Sequence, residues 1–378
     1  MIAVHGHVKS GFEAVRDAFA GNFETGFEVG ASVAVMHKGE MVVDIWAGHT
    51  DLERTQPWNE DTLINVWSTT KTQMFLCVLI LANDGLLSLD DPVAKFWPEF
   101  AANGKDGVLV RHLMSHTSGL SGWDELITAE DLYDHDKCAG LLAAQAPWWE
   151  PGTKSGYHAM TQGYLLGELV KRVTGISLGN FFRTRVAEPL NADFHIGTPA
   201  SVDERVAKVI PAEQVLPANI KPESIFARTM LNPVMDARFS WTPEWRRCES
   251  PAANGHGNAR SVALTQSIIS HGGTVNGQRF SSPEMIERIF EVQADGVDQV
   301  LGSPSKIGIG YGLTSKHTPV SSNPRSCFWG GWGGSLCVND LDAQMTFAYV
   351  MNRMGEGTVG DMRAAGPLIA THMAIAAL

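Results

Sequence analysis

The placing of strand-like segments constrains this 378-residue chain most tightly. Two apolar runs, Ala31 to His37 and Met41 to Trp46, flank Lys38-Gly39-Glu40 and read as a β-hairpin. From there to about residue 250 the pattern is helices joined by irregular loops, rich in Trp and Pro, with little strand alternation. Short β-like runs return only late, at Ile307 to Leu313, Cys327 to Trp329, Leu336 to Asn339 and Ala343 to Met351. Strands at both ends with helices between them predict one sheet assembled from the two ends, with a helical insertion beside it. Five helices stand out. Gly11 to Phe19 is amphipathic through Phe12, Val15 and Phe19, and Gln73 to Asn83 is apolar on nearly every side, as a central buried helix must be. Thr161 to Val173 shows its apolar face at Leu165, Leu166, Leu169, Val170 and Val173. A fourth follows Asn254 through Val262, Leu264, Ile268 and Ile269, and Met362 to Ala377 closes the chain.

Length and composition allow two domains or one large two-part domain with ample core. With 29 basic and 41 acidic residues the net charge is −12, which argues against a nucleic-acid surface. Cys77, Cys138, Cys248, Cys327 and Cys337 are odd in number and scattered, which argues against a disulfide framework and a thiolate zinc site. The start of the sequence lacks a basic stretch leading into an apolar core, and no apolar run reaches membrane-spanning length. The expectation is a soluble cytoplasmic protein with no membrane partner.

Ser68-Thr69-Thr70-Lys71 lies where an irregular stretch gives way to the most apolar helical run. Serine holds its proton at neutral pH and needs a base within hydrogen-bond reach to become a nucleophile. Positions i and i+3 share one helix face, so a lysine amine with its pKa depressed can take that proton. The plainer alternative has Ser68 as a helix cap and Lys71 in solvent. A second cluster, Gly156-Tyr157-His158-Ala159, follows the turn Pro151-Gly152. Tyr157 is a candidate proton acceptor if a cation such as Lys71 holds it as phenolate, or else a tyrosine packing a loop on the core. His158 is the alternative base, although its neighbour on an extended loop points the other way. The third cluster, Phe328-Trp329-Gly330-Gly331-Trp332-Gly333-Gly334-Ser335, lies between strand-like runs. Its glycines allow a substrate carbonyl to approach the Trp332 backbone N–H, which with that of Ser68 would form an oxyanion hole. A glycine-rich turn with two packing tryptophans is the other reading. Ser177, in Gly175-Ile176-Ser177-Leu178-Gly179, matches the nucleophile-elbow pattern, but the segment before it is helical rather than a strand. Gly175 therefore reads as a helix C-cap and Ser177 as an N-cap of the next helix. His112 and His116 are spaced like a helical zinc pair but lack the accompanying glutamate; they, and His5 and His7 in the terminus, are assigned structural or surface roles.

Together and in this order, the SxxK tetrad, the tyrosine loop and the glycine-rich strand resemble the serine β-lactamase and penicillin-binding protein superfamily. The narrower resemblance is to class C β-lactamase-like esterases, the family VIII carboxylesterases. It extends over Gly85-Leu86-Leu87-Ser88-Leu89-Asp90-Asp91-Pro92, Arg111-His112-Leu113-Met114-Ser115-His116-Thr117-Ser118-Gly119-Leu120 and Ala259-Arg260-Ser261. The resemblance implies an α+β, β-lactamase/transpeptidase-like fold, an antiparallel sheet flanked by helices plus an all-helical domain. Placed on this sequence, residues 1–65 and 255–378 would carry the sheet and residues 66–254 the helical domain, with the active site in the cleft between. It implies acylation of Ser68, proton transfers shared by Lys71 and Tyr157, and no metal or organic cofactor. Two departures are instructive. Class C enzymes resemble Tyr-x-Asn at the second motif and Lys-Thr-Gly at the third, whereas this chain has Ala159 and Trp329-Gly330-Gly331. Without that amide and ammonium an anionic lactam loses two anchors, and Trp329 offers an apolar wall. Trp329, Gly330, Gly331 and His158 are the expected substrate-binding residues. The expected partner is a small-molecule ester, with a homo-oligomeric assembly left open; β-lactam or D-amino-acid peptide cleavage at the same site is the alternative.

Overall fold

The computed structural model describes residues 2–212 and 220–378. A nine-stranded antiparallel sheet runs in spatial order Val4–Val8, Glu40–Gly48, Gly30–His37, Met345–Met351, Leu336–Asp340, Ser326–Gly330, Gly312–Leu313, Pro304–Ile307 and Ala294–Val297. The two ends of the chain meet at its centre, where Ala31 lies opposite Met351 and His37 opposite Met345. Strand Gly30–His37 is buried along its whole length because both faces are covered. Ala31, Val33 and Val35 join a core with Phe12, Val15, Phe19 and Leu368, from helices Glu13–Glu24 and Ala365–Ala376 and the loop before the first. Ala34 and Met36 face the other way, into the core that holds Val262, Ile269 and the whole apolar run of helix Thr70–Asn83. That helix is buried from Thr70 to Ala82 and packs against helices Thr161–Thr174 and Ala259–Ser270. An α+β, β-lactamase/transpeptidase-like architecture results.

Some elements differ from the sequence expectation. His5 and His7 lie in an ordered edge strand, where Gly6 at φ +103° passes close over the Asp44 carbonyl. The run Ile307 to Leu313 is broken between two strands, since Gly310 adopts φ +90° against the Phe75 ring. A small second sheet of Ile64–Asn65, Gly255–Gly257 and His195–Ile196 links the segment before Ser68 to distant chain; its strands are too short to show periodicity. Among the described residues no helix is long and apolar enough to cross a membrane.

Candidate active site

The turn that carries Ser68 is a tight one. Trp67–Thr69 forms a single 3₁₀ turn that runs into helix Thr70–Asn83, so Ser68 lies at the buried entrance of the helix. Trp67 adopts φ +48°, a conformation that costs a bulky residue on the order of 1–3 kcal/mol and persists only where neighbours enforce it. Trp245 and Trp332, with ring centroids 5.7 and 5.0 Å away, enclose its indole. One turn later Lys71 is completely buried, and its Nζ lies 3.1 Å from Ser68 Oγ, 3.3 Å from Tyr157 Oη, 2.8 Å from the Ala159 carbonyl and 3.0 Å from that of Ala252. Burial alone pushes the lysine well below its ordinary range. A neutral amine has two N–H groups and one lone pair, which matches two carbonyls plus a serine hydroxyl.

Tyr157 Oη lies 2.5 Å from Ser68 Oγ, closing a triangle with Lys71. Its phenol is pushed up to about 12, first by burial and slightly by the charge of Asp298, against the opposing pull of the Ser68 hydrogen bond and the nearby Trp329 indole. Burial thus works against charge on both groups, lowering the lysine and raising the phenol. The strap carrying Tyr157 is irregular, and its backbone groups are satisfied one by one. Gly156 N–H donates to the His116 carbonyl, Tyr157 N–H to Asp298 Oδ1 and His158 N–H to His116 Nδ1.

The turn between strands Ser326–Gly330 and Leu336–Asp340 is fastened to the turn that carries Ser68. Ser335 Oγ lies 2.8 Å from the Val66 carbonyl and 2.9 Å from Thr69 Oγ1. Among the described residues neither the Ser68 nor the Trp332 backbone N–H has an acceptor in the protein. Such free donors beside the Ser68 hydroxyl suit an anion forming there. Ser68, Tyr157 and Trp332 open onto a cavity of about 420 Å³ with apolar walls that include Met160, Phe226, Met230 and Leu231. Glu356 is the only ionisable side chain apart from Tyr157 on this wall among the described residues, and no Lys or Arg lines it.

The other expected binding residues lie off the cavity surface. Trp329 is buried behind Tyr157, its ring stacked on His116 at 5.0 Å. His158 points away from Ser68, with Nδ1 2.5 Å from the Gly156 carbonyl and Nε2 2.8 Å from Ser118 Oγ, and burial pushes it down to about 3. Gly330 and Gly331 lie close against neighbouring chain: a Cβ there would meet Gly360 N at 2.6 Å or overlap Ser335 Oγ and the Val66 carbonyl. Ser177 is the N-cap of helix Leu178–Phe182 and donates to Glu249 at 2.6 Å, while Gly175 ends the preceding helix at φ +78°. His112 accepts from Leu109 N–H at the start of its own helix. Sequence reasoning missed Asp298 and Glu356. Asp298 begins a turn ending at Gly302-Ser303, a readable local signal, but nothing in it announces contact with Tyr157.

Comparison with known proteins gives this geometry its relatives. Residues 16–370 match the family described as Beta-lactamase. The chain is 33% identical over 368 residues to "Esterase/beta-lactamase LipL" of Mycobacterium tuberculosis, covering 93% of this chain and 83% of that protein. Among solved structures, a family VIII carboxylesterase superposes with a TM-score of 0.93 at 39% identity, covering 99% of this chain and all of that one. A penicillin-binding protein homologue from Caulobacter crescentus gives 0.92 at 35% identity, with 98% and 100% covered. The chain belongs to the beta-lactamase family, and it is a serine hydrolase.

Proposed function

We propose that this serine ester hydrolase is a carboxylesterase that cleaves neutral, short-chain esters through an acyl-enzyme on Ser68. The observation that carries the proposal is the buried Ser68–Lys71–Tyr157 triangle opening on an apolar cavity that has no basic side chain among its described residues. Neutral Lys71 accepts the Ser68 proton as Oγ attacks the ester carbonyl. The tetrahedral oxyanion is held by the Ser68 and Trp332 N–H groups. Collapse of this intermediate breaks the C–O bond, and Tyr157 hands its proton to the departing alkoxide while Lys71 re-protonates the phenol. Water then attacks the acyl-enzyme by the same route in reverse, releasing the acid and restoring Ser68. Trp67, Trp332 and the methionines of the wall give apolar contact but no partner for a carboxylate.

β-Lactam or D-amino-acid peptide cleavage would use the same triangle, and the name of the mycobacterial relative favours testing it. A basic anchor for the lactam carboxylate is missing from the cavity wall among the described residues. Comparing kcat/KM for an activated acetate or butyrate ester with that for a cephalosporin decides the order, and a lactam preference overturns it. In the same assay Ser68→Ala is expected to abolish hydrolysis. Ser177→Ala should keep full activity and lose only about 1 kcal/mol of stability with its cap. Activity surviving the first substitution but not the second would refute the assignment.

A further inference from the structure

The loop between strands Ala294–Val297 and Pro304–Ile307, at the far edge of the large sheet, touches the strap that carries Tyr157. Asp298 is 3% exposed, and its Oδ1 accepts from three backbone N–H groups: Val300 and Leu301 of its own loop, each at 2.9 Å, and Tyr157 at 3.0 Å. Beside it Gln299 N–H donates to the Ser155 carbonyl at 2.8 Å, so two adjacent bonds clamp the loop to the strap. Val300 and Ile307 pack with Tyr157 and Trp329 in one apolar cluster. The strap has no regular secondary structure to fix it, and a backbone N–H buried there without a partner would move or recruit water.

We infer that Asp298 is a positioning residue for Tyr157: carried in from the sheet edge, its carboxylate fixes the Tyr157 backbone and thereby the 2.5 Å contact between phenol and nucleophile. Its first two bonds shape the loop so that the third reaches the strap. A charged acceptor holds N–H groups more firmly than a neutral one. The carboxylate also opposes ionisation of the phenol, keeping a proton on Tyr157 for the leaving group. The inference rests on the reading that Tyr157 takes part in the chemistry.

The test compares Asp298→Ala and Asp298→Asn with Tyr157→Phe, on a short activated ester, after counting competent sites with a fluorophosphonate. For Asp298→Ala the expectation is a fall in kcat per competent site of about 10- to 100-fold, since small misplacements of reacting groups cost this much. KM should stay within about twofold, because the clamp lies off the cavity wall. Asparagine keeps an acceptor but no charge, so its kcat should lie between alanine and wild type. Its alkaline limb of kcat/KM should move to lower pH. A folded Asp298→Ala with wild-type kcat per site overturns the inference. Should the alanine variant not fold, Asp298→Asn with wild-type kcat and an unmoved alkaline limb overturns it instead. If Tyr157→Phe is itself fully active, the chemical role of Tyr157 fails as well; an inactive Tyr157→Phe beside a fully active Asp298→Ala removes only the role of Asp298.

Discussion

At Lys71 burial opposes the charged ammonium, and the consequence is a defined pH profile. The lysine is held well below its ordinary range, so the neutral amine gains population as pH rises through that lowered value. kcat/KM should therefore climb along an acid limb and then level off, with no loss on the alkaline side until the phenol ionises near about 12. Lys71→Arg should lose on the order of 10²–10⁴-fold in kcat/KM, because a guanidinium does not give up its proton. A variant that keeps both activity and the acid limb would assign that limb to another group. Part of this arrangement was legible in the sequence. Ser68 and Lys71 are three positions apart at a helix entrance, a local relation that spacing encodes. Tyr157 came from the order of motifs. The Ala159 and Ala252 carbonyls that hold Lys71 were not legible, since a backbone acceptor leaves no signature in residue type. His158 illustrates the reverse error: it has the right chemistry, but its ring is spent on Gly156 and Ser118.

Among the secondary elements, the glycine-rich turn after strand Ser326–Gly330 joins the sheet to the turn that carries Ser68. Gly331 N–H donates to the Ser335 carbonyl, Gly333 exchanges backbone bonds with Gly355 and Gly357, and Arg363 donates to the Gly333 carbonyl at 2.5 Å. A methyl group at Gly331 would overlap the Val66 carbonyl, prising this turn from Ser68. Gly331→Ala should cost about 1–3 kcal/mol by overpacking, read as a lower Tm, and should lower kcat at least tenfold if the Trp332 N–H belongs to the oxyanion hole. Gly140 makes the contrast: it sits within helix His135–Ala144 with open space where a Cβ would go. Gly140→Ala should raise stability by about 0.4–1 kcal/mol and leave kinetics unchanged. The long elements were readable because their apolar faces are large, as in helix Thr70–Asn83. Strand Val4–Val8 was not, because His5, Gly6 and His7 are exposed at the sheet edge and pair only through backbone. The glycines of the turn are legible as sites of close approach, but sequence does not name the chain that packs on them: Gly360 against Gly330, and Val66 and Ser335 against Gly331.

At the scale of the whole molecule, charge shapes what reaches Ser68. The chain carries a net charge of −12, and the cavity wall adds Glu356 beside the turn bearing Trp332, with no opposing Lys or Arg among its described residues. Arg353 and Arg363 lie near in sequence but are committed elsewhere: Arg363 binds Glu28 and Asp361, and Arg353 lies over the Phe27 ring. An acyl group with its own carboxylate therefore meets repulsion both on approach and at the cavity mouth. An exposed charge in high dielectric contributes modestly, about 1 kcal/mol at contact distances, so the expected discrimination is several-fold rather than absolute. The measurement is the ratio of kcat/KM for a butyrate ester to that for the matching hemisuccinate, whose acyl group has a similar backbone but ends in a carboxylate. Wild type should favour the butyrate, and Glu356→Gln should reduce that preference by about two- to fivefold. Added salt should narrow the wild-type ratio towards that of the variant, because a rim charge is screened. A ratio that neither the substitution nor salt moves would assign discrimination to the shape and polarity of the apolar wall, with Glu356 a bystander.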